Sequence, residues 1–80
     1  MTKKEKLWQK AINSPQNLTF DEFERLLRQT GWILSRQKGS HRLWCSPKGK
    51  VLPIQPRKDG KAKVYQVQQF IKYQEEEECL

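Results

Sequence analysis

The only histidine of the chain, His41, stands in the run RQKGSHRLW, directly behind Gly39 and Ser40 and among Arg36, Lys38 and Arg42. A lone imidazole between cations has a use in RNA cleavage. The ribose 2′-OH attacks its neighbouring phosphate once a base removes its proton, and an acid protonates the leaving 5′-oxygen. An imidazole, with an ordinary pKa of about 6.5, can take either role at neutral pH. Arg36, Lys38 and Arg42 would stabilise charge building on the phosphate, and Gly39 and Ser40 would let backbone N–H groups approach it. Lys61 and Lys63, where a last helix should begin, offer a second anion-attracting site. The plain alternatives are a solvated turn histidine and lysines that only keep a small protein soluble. Trp32 and Trp44 could stack on bases, although strand aromatics more often belong to a core. Cys45 reads as a small buried apolar group.

Charge is distributed unevenly. Of a net +7 over 80 residues, the segment 36–63 carries nine cations against one acid, Asp59, a net of +8 that leaves the rest of the chain at −1. A basic centre between balanced flanks is the electrostatic footprint of a phosphate-backbone binder. Two cysteines, Cys45 and Cys79, with no CxxC and no Cys/His cluster, make neither a disulfide framework nor a zinc site. Metal-free chemistry without any cofactor is therefore expected. No run approaches the ~20 apolar residues of a membrane span, and MTKKEKLWQKAINS lacks the continuous apolar stretch of a signal peptide. A soluble, cytoplasmic protein with no membrane partner is expected.

The scaffold that must hold these residues is outlined by start and stop signals. Thr2-Lys3-Lys4-Glu5 fits a capping box for a first helix with Leu7, Trp8, Ala11 and Ile12 on one stripe, stopped by Asn13-Ser14-Pro15. That stripe is read as packing on the core rather than docking a partner. Thr19-Phe20-Asp21-Glu22 is a second capping box, with Leu18 and Phe23 placed for a hydrophobic staple and Gly31 suited to the position after the last turn. The hydrophobic period then shortens. Trp32–Arg36 and His41–Cys45 read as strands around the turn QKGS, and Ser46-Pro47-Lys48-Gly49 leads into a third strand over Lys50–Gln55. Pro53 has no N–H to donate, so this third strand belongs at an edge. The basic loop PRKDGKAK precedes a last helix with Val64, Val67, Phe70 and Ile71 as its buried stripe. The closing EEEE puts acids where the helix dipole disfavours them, so fraying is expected there.

The expected fold is α+β, a three-stranded antiparallel meander with helices on one face plus an extra N-terminal helix. A single domain over 1–80 is expected, with a helical extension at 1–16, a core at 17–74 and a frayed acidic tail at 75–80. Strand parity puts His41, Leu43 and Cys45 on one face and Arg42 and Trp44 on the other. If Leu43 points at the helices, His41 leans the same way and reaches solvent only as the first residue of its strand.

GWILSRQKGSHRLW followed by GKAKVYQVQQF resembles the HicA toxins of bacterial and archaeal HicA–HicB toxin–antitoxin systems, over about Asn17 to Gln74. The shared signature is Gly-Ser-His before apolar strand residues, here Gly39, Ser40 and His41. The leading helix and its Asn-Ser-Pro stop are similar to the extension of one subgroup. The resemblance implies a fold like that of double-stranded-RNA-binding domains and a metal-independent endoribonuclease that cleaves mRNA. It makes His41 the catalytic residue, supported by Gly39 and Ser40, and a HicB-like antitoxin the neutralising partner. Many relatives carry a second histidine after the first; here Arg42 stands in its place. A guanidinium can hold phosphate but cannot exchange protons near neutral pH. Two other readings use the same charge: a non-catalytic RNA-binding module of this fold, and a basic adaptor for an acidic protein.

Overall fold

The structure, a computed structural model, describes residues 3–78. Its elements run α1 (Lys3–Asn13), a single 3-10 turn (Pro15–Asn17), α2 (Phe20–Gln29), β1 (Ile33–Lys38), β2 (His41–Cys45), β3 (Val51–Ile54) and α3 (Val64–Glu78). The strands form one antiparallel sheet in the order β1-β2-β3, with β2 in the centre. This is the expected α+β meander, and its order is compatible with a double-stranded-RNA-binding-domain-like fold. Pro53 lies in the edge strand β3 opposite Leu43, as its missing N–H requires.

Local chemistry explains both ends of α2. At its start the Thr19 hydroxyl accepts from the Glu22 N–H (3.1 Å) while the Glu22 carboxylate accepts from the Thr19 N–H (3.0 Å), a complete capping box. The same carboxylate takes the Lys10 ammonium at 2.9 Å, tying α1 to α2. At its end Gly31, at φ 90°, turns the chain. The Trp32 N–H then reaches Leu27 O (3.0 Å) and the Gly31 N–H reaches Arg28 O (3.1 Å), the bond pair of a Schellman motif. The first expected capping box begins at Thr2, which lies outside the described residues.

All three helices contribute to one core on one side of the sheet. Phe70 of α3 is its hub, meeting Trp8 of α1 (6.1 Å), Phe23 of α2 (5.9 Å) and Trp32 (5.6 Å) edge-on. The sheet supplies Trp44, Leu52 and Ile54, each at most 4% exposed. Leu7 and Ala11 carry α1 into this core, whereas Ile12 is 45% exposed. Edge-to-face aromatic contacts of this kind add to area burial, so α1 is fastened by packing rather than left free.

Of the acidic tail expected to fray over 75–80, residues 75–78 are helical, and the last two lie outside the described residues. The β2–β3 turn explains it. Lys48 Nζ donates to the carbonyl of Glu77 (2.9 Å), and Lys50 pairs with the Glu76 carboxylate while its ammonium lies 4.7 Å from the Tyr73 ring centre. Two cations thus meet the negative end of α3, which its own sequence overloads with acids.

Candidate functional site

The sheet has two unlike faces. Trp44 is 1% exposed under the helices, and Leu34 and Leu52 are its cross-strand partners on that side. Leu43 and His41 therefore point the other way, onto a face that no helix covers. The parity condition is settled against Leu43 facing the helices, and His41 is exposed because its whole face is open.

Two backbone features assemble the site on that face. A two-residue turn, Gly39-Ser40, joins β1 to β2, with Gly39 at φ 60°; a glycine first and a negative φ second is the pattern of a II′ hairpin turn. It makes Lys38 and His41 the closing pair of the hairpin, and side chains opposite each other in such a pair are about 5 Å apart at Cβ. The second feature is an irregularity in β1. Leu34 pairs with Trp44 but Arg36 pairs with Leu43, so Ser35 is an extra residue in the strand. A single inserted residue moves everything beyond it to the opposite face. Trp32, Leu34, Arg36 and Lys38 share one parity in the sequence; only the bulge separates the apolar pair from the cationic pair. Arg36, Lys38 and His41 consequently border a shallow cleft of about 160 Å³ with Leu43 and Pro53.

Arg42 borders the same cleft, but its guanidinium goes to the helix side. There it pairs with Glu24, which is 3% exposed, and lies 5.3 Å from the centre of the Phe20 ring. The structure thus separates Arg42 from Arg36, Lys38 and His41 and gives it a partner. Lys61 and Lys63 sit in the segment before α3, where Lys61 bridges to Thr19; neither borders the cleft of Arg36 and Lys38. Trp32 and Trp44, 2% and 1% exposed, are core and cannot stack on a base. Cys45 is half-buried on the open face, opposite Ile33 and Val51, instead of inside the core.

His41 also closes one end of a second, larger groove of about 320 Å³ between the edge strand β3 and α3, bordered by Pro53, Gln55, Tyr65, Gln69 and Tyr73. Sequence reasoning passed over Tyr65; the visible signal was its i, i+4, i+8 spacing with Gln69 and Tyr73, off the apolar stripe of α3. It also missed Glu24, an acid within the apolar face of α2 that needs a cation. Among the described residues no three His, Cys, Asp or Glu side chains converge as a metal site requires, and no helix is long and apolar enough to cross a membrane.

Fold and site together define a small basic α+β protein that presents a histidine and two cations on an uncovered sheet face. Its lineage follows from its sequence profile. The family model described as the HicA toxin of bacterial toxin–antitoxin systems matches residues 20–74, most of the chain, and the protein belongs to that family. It is thus a toxin-class component of a toxin–antitoxin system. No curated protein and no solved structure matches it significantly.

Proposed function

We propose that this toxin is a metal-independent endoribonuclease acting on mRNA, with His41 as its catalytic residue. The observation that carries the reading is the bulge at Ser35, which brings Arg36 and Lys38 onto the open face beside the hairpin histidine. In the step envisaged, the 2′-oxygen forms a bond to phosphorus while the bond from phosphorus to the 5′-oxygen breaks. His41 moves one of the two protons involved. Arg36 and Lys38 hold the phosphate oxygens, and the Gly39-Ser40 backbone gives close access. The products are a 2′,3′-cyclic phosphate and a 5′-OH. With Arg42 engaged by Glu24 there is no second imidazole or free guanidinium at that position, so the other proton transfer falls to water or the Lys38 ammonium, and slow turnover is expected. Lys61 and Lys63 fit a more distant stretch of the RNA backbone. The partner that neutralises the toxin is a HicB-like antitoxin, whose acidic groups would meet the same cations. The working arrangement is a single domain over 1–80, acting in the cytoplasm, with 17–74 as its core.

The test is cleavage of an end-labelled RNA in EDTA by the parent and by His41→Ala, both checked for fold by circular dichroism. Cleavage by the parent alone, leaving 5′-OH ends, supports the assignment. Equal cleavage by both proteins, or 5′-phosphate ends, overturns it. Binding by both without cleavage by either favours the non-catalytic RNA-binding reading, to which the engagement of Arg42 already lends weight.

A further inference from the structure

Among the described residues Tyr65 is the one exposed aromatic, at 65%. The other seven aromatic side chains are buried or half-buried, most of them around Phe70. Tyr65 is not loosely placed. Gln66, 9% exposed, accepts from the Gln55 N–H at the end of β3 (3.1 Å) and reaches the Tyr65 hydroxyl with its amide nitrogen at 3.5 Å. The ring thus stands beside the strand end that lies opposite His41, at the head of the β3–α3 groove. Gln69 and Tyr73 follow at one-turn intervals, extending the groove about 12 Å along α3. At its far end Tyr73 stacks on Trp32, at 22° between ring planes, and meets Lys50, so Tyr73 is floor rather than platform. The groove's volume, about 320 Å³, falls in the range of small-ligand sites.

A groove with an exposed ring at one end and amide side chains along it has the chemistry that receives an unpaired nucleobase. Aromatic faces stack on any base, and amides offer both a donor and an acceptor to its edge. The cations of the hairpin lie at the same end, where the connecting phosphate would be. We propose that the β3–α3 groove is a nucleobase subsite for single-stranded RNA, with the base next to the phosphate at His41 stacked on Tyr65 and its edge met by Gln69. This rests on the RNA-cleaving reading above and adds to it the substrate class: a single strand, since a base paired in a duplex cannot enter the groove.

The test separates binding from cleavage. A fluorescein-labelled single-stranded decamer of 2′-O-methyl RNA has no 2′-OH to attack, so its anisotropy reports binding alone. Tyr65→Ala should weaken binding roughly 5- to 150-fold, the range for losing one aromatic–base stack. Tyr65→Phe, which keeps the ring, should stay within about threefold. Ile33→Ala, on the open face but at the end remote from His41, should leave binding unchanged. If Tyr65→Ala stays within twofold of a parent that binds, the subsite is wrong while the RNA reading stands. If the parent cuts no RNA yet binds the decamer through Tyr65, the subsite stands and the catalytic reading falls. If the parent binds duplex RNA or only an acidic protein and ignores the decamer, the subsite is overturned.

Discussion

At the scale of single residues, Arg42 and Lys38 look interchangeable in the sequence, two cations flanking the Gly-Ser-His turn. Their surroundings make them opposites. Lys38 has no ion-pair partner among the described residues and faces solvent, whereas Arg42 is the counter-ion of Glu24, whose carboxylate is almost wholly buried and whose second oxygen has no hydrogen-bond partner. Removing Arg42 would leave that charge stranded. Arg42→Ala is expected to cost about 3 kcal/mol, the lower end for breaking a buried pair, because Arg42 itself keeps some contact with water. Lys38→Ala should stay within about 0.5 kcal/mol in urea unfolding, as surface changes do. Equal stabilities would mean that Glu24 does not depend on Arg42 for its place in the fold. Glu22 shows the opposite balance. Burial pushes its carboxyl up, but the Thr19 N–H bond and the Lys10 ammonium outweigh it and hold it below the ordinary 4.5. A lowered folded value stabilises the protein above the ordinary carboxylate range and loses that contribution as pH falls through the folded value. The stability gap between the parent and Glu22→Gln should therefore be present at neutral pH and close below pH 4.5; a gap that persists in acid would assign it to packing.

At the scale of elements, the hairpin depends on a residue with no chemistry of its own. Ser35 is exposed, yet it decides which face the next residues take. Ser35→Ala should change stability by less than about 0.5 kcal/mol. Deleting Ser35 forces a choice: Arg36 and Lys38 turn toward the helices, or Trp32 and Leu34 turn out to solvent. Either outcome should cost at least about 2 kcal/mol, by burying charge or by exposing apolar surface. A deletion as mild as the substitution would show that β1 re-registers without consequence. This also marks where the sequence was legible. Capping signals at Thr19 and Gly31, the Gly39-Ser40 turn and Pro53 each carry a local rule, and each element they bound was found near its expected place. Face assignment is not local. It follows from which of Leu43 and Trp44 the helices bury, and that choice is made by packing of Trp44 under α2, where Arg28 lies 5.4 Å from the centre of its ring. The Trp32–Leu34–Arg36–Lys38 parity conflict was the one written sign of the bulge.

At the scale of the whole molecule, the +8 segment divides by location. β3 runs back along β2, so Lys48 and Lys50 lie at the end remote from His41, and both are engaged by the acidic end of α3. Arg42 is taken by Glu24 and Arg57 by Asp59 at 3.0 Å. Arg36, Lys38, Lys58, Lys61 and Lys63 have no ion-pair partner among the described residues, and each belongs to the hairpin or to the loop that leaves β3 at the same end as His41. Within this segment the cations available to a polyanion are thus concentrated at one end, although the sequence spreads them over its whole length. Salt dependence can read this division. Each phosphate neutralised on a single strand contributes about 0.7 to the slope of log affinity against log salt. Lys38→Ala should flatten that slope by about this amount, while Lys48→Ala should leave it unchanged and instead loosen the end of α3, seen as faster amide exchange over residues 74–78. A slope that drops equally for both would mean that RNA spans the molecule from end to end, and the division of charge by location would have no part in binding.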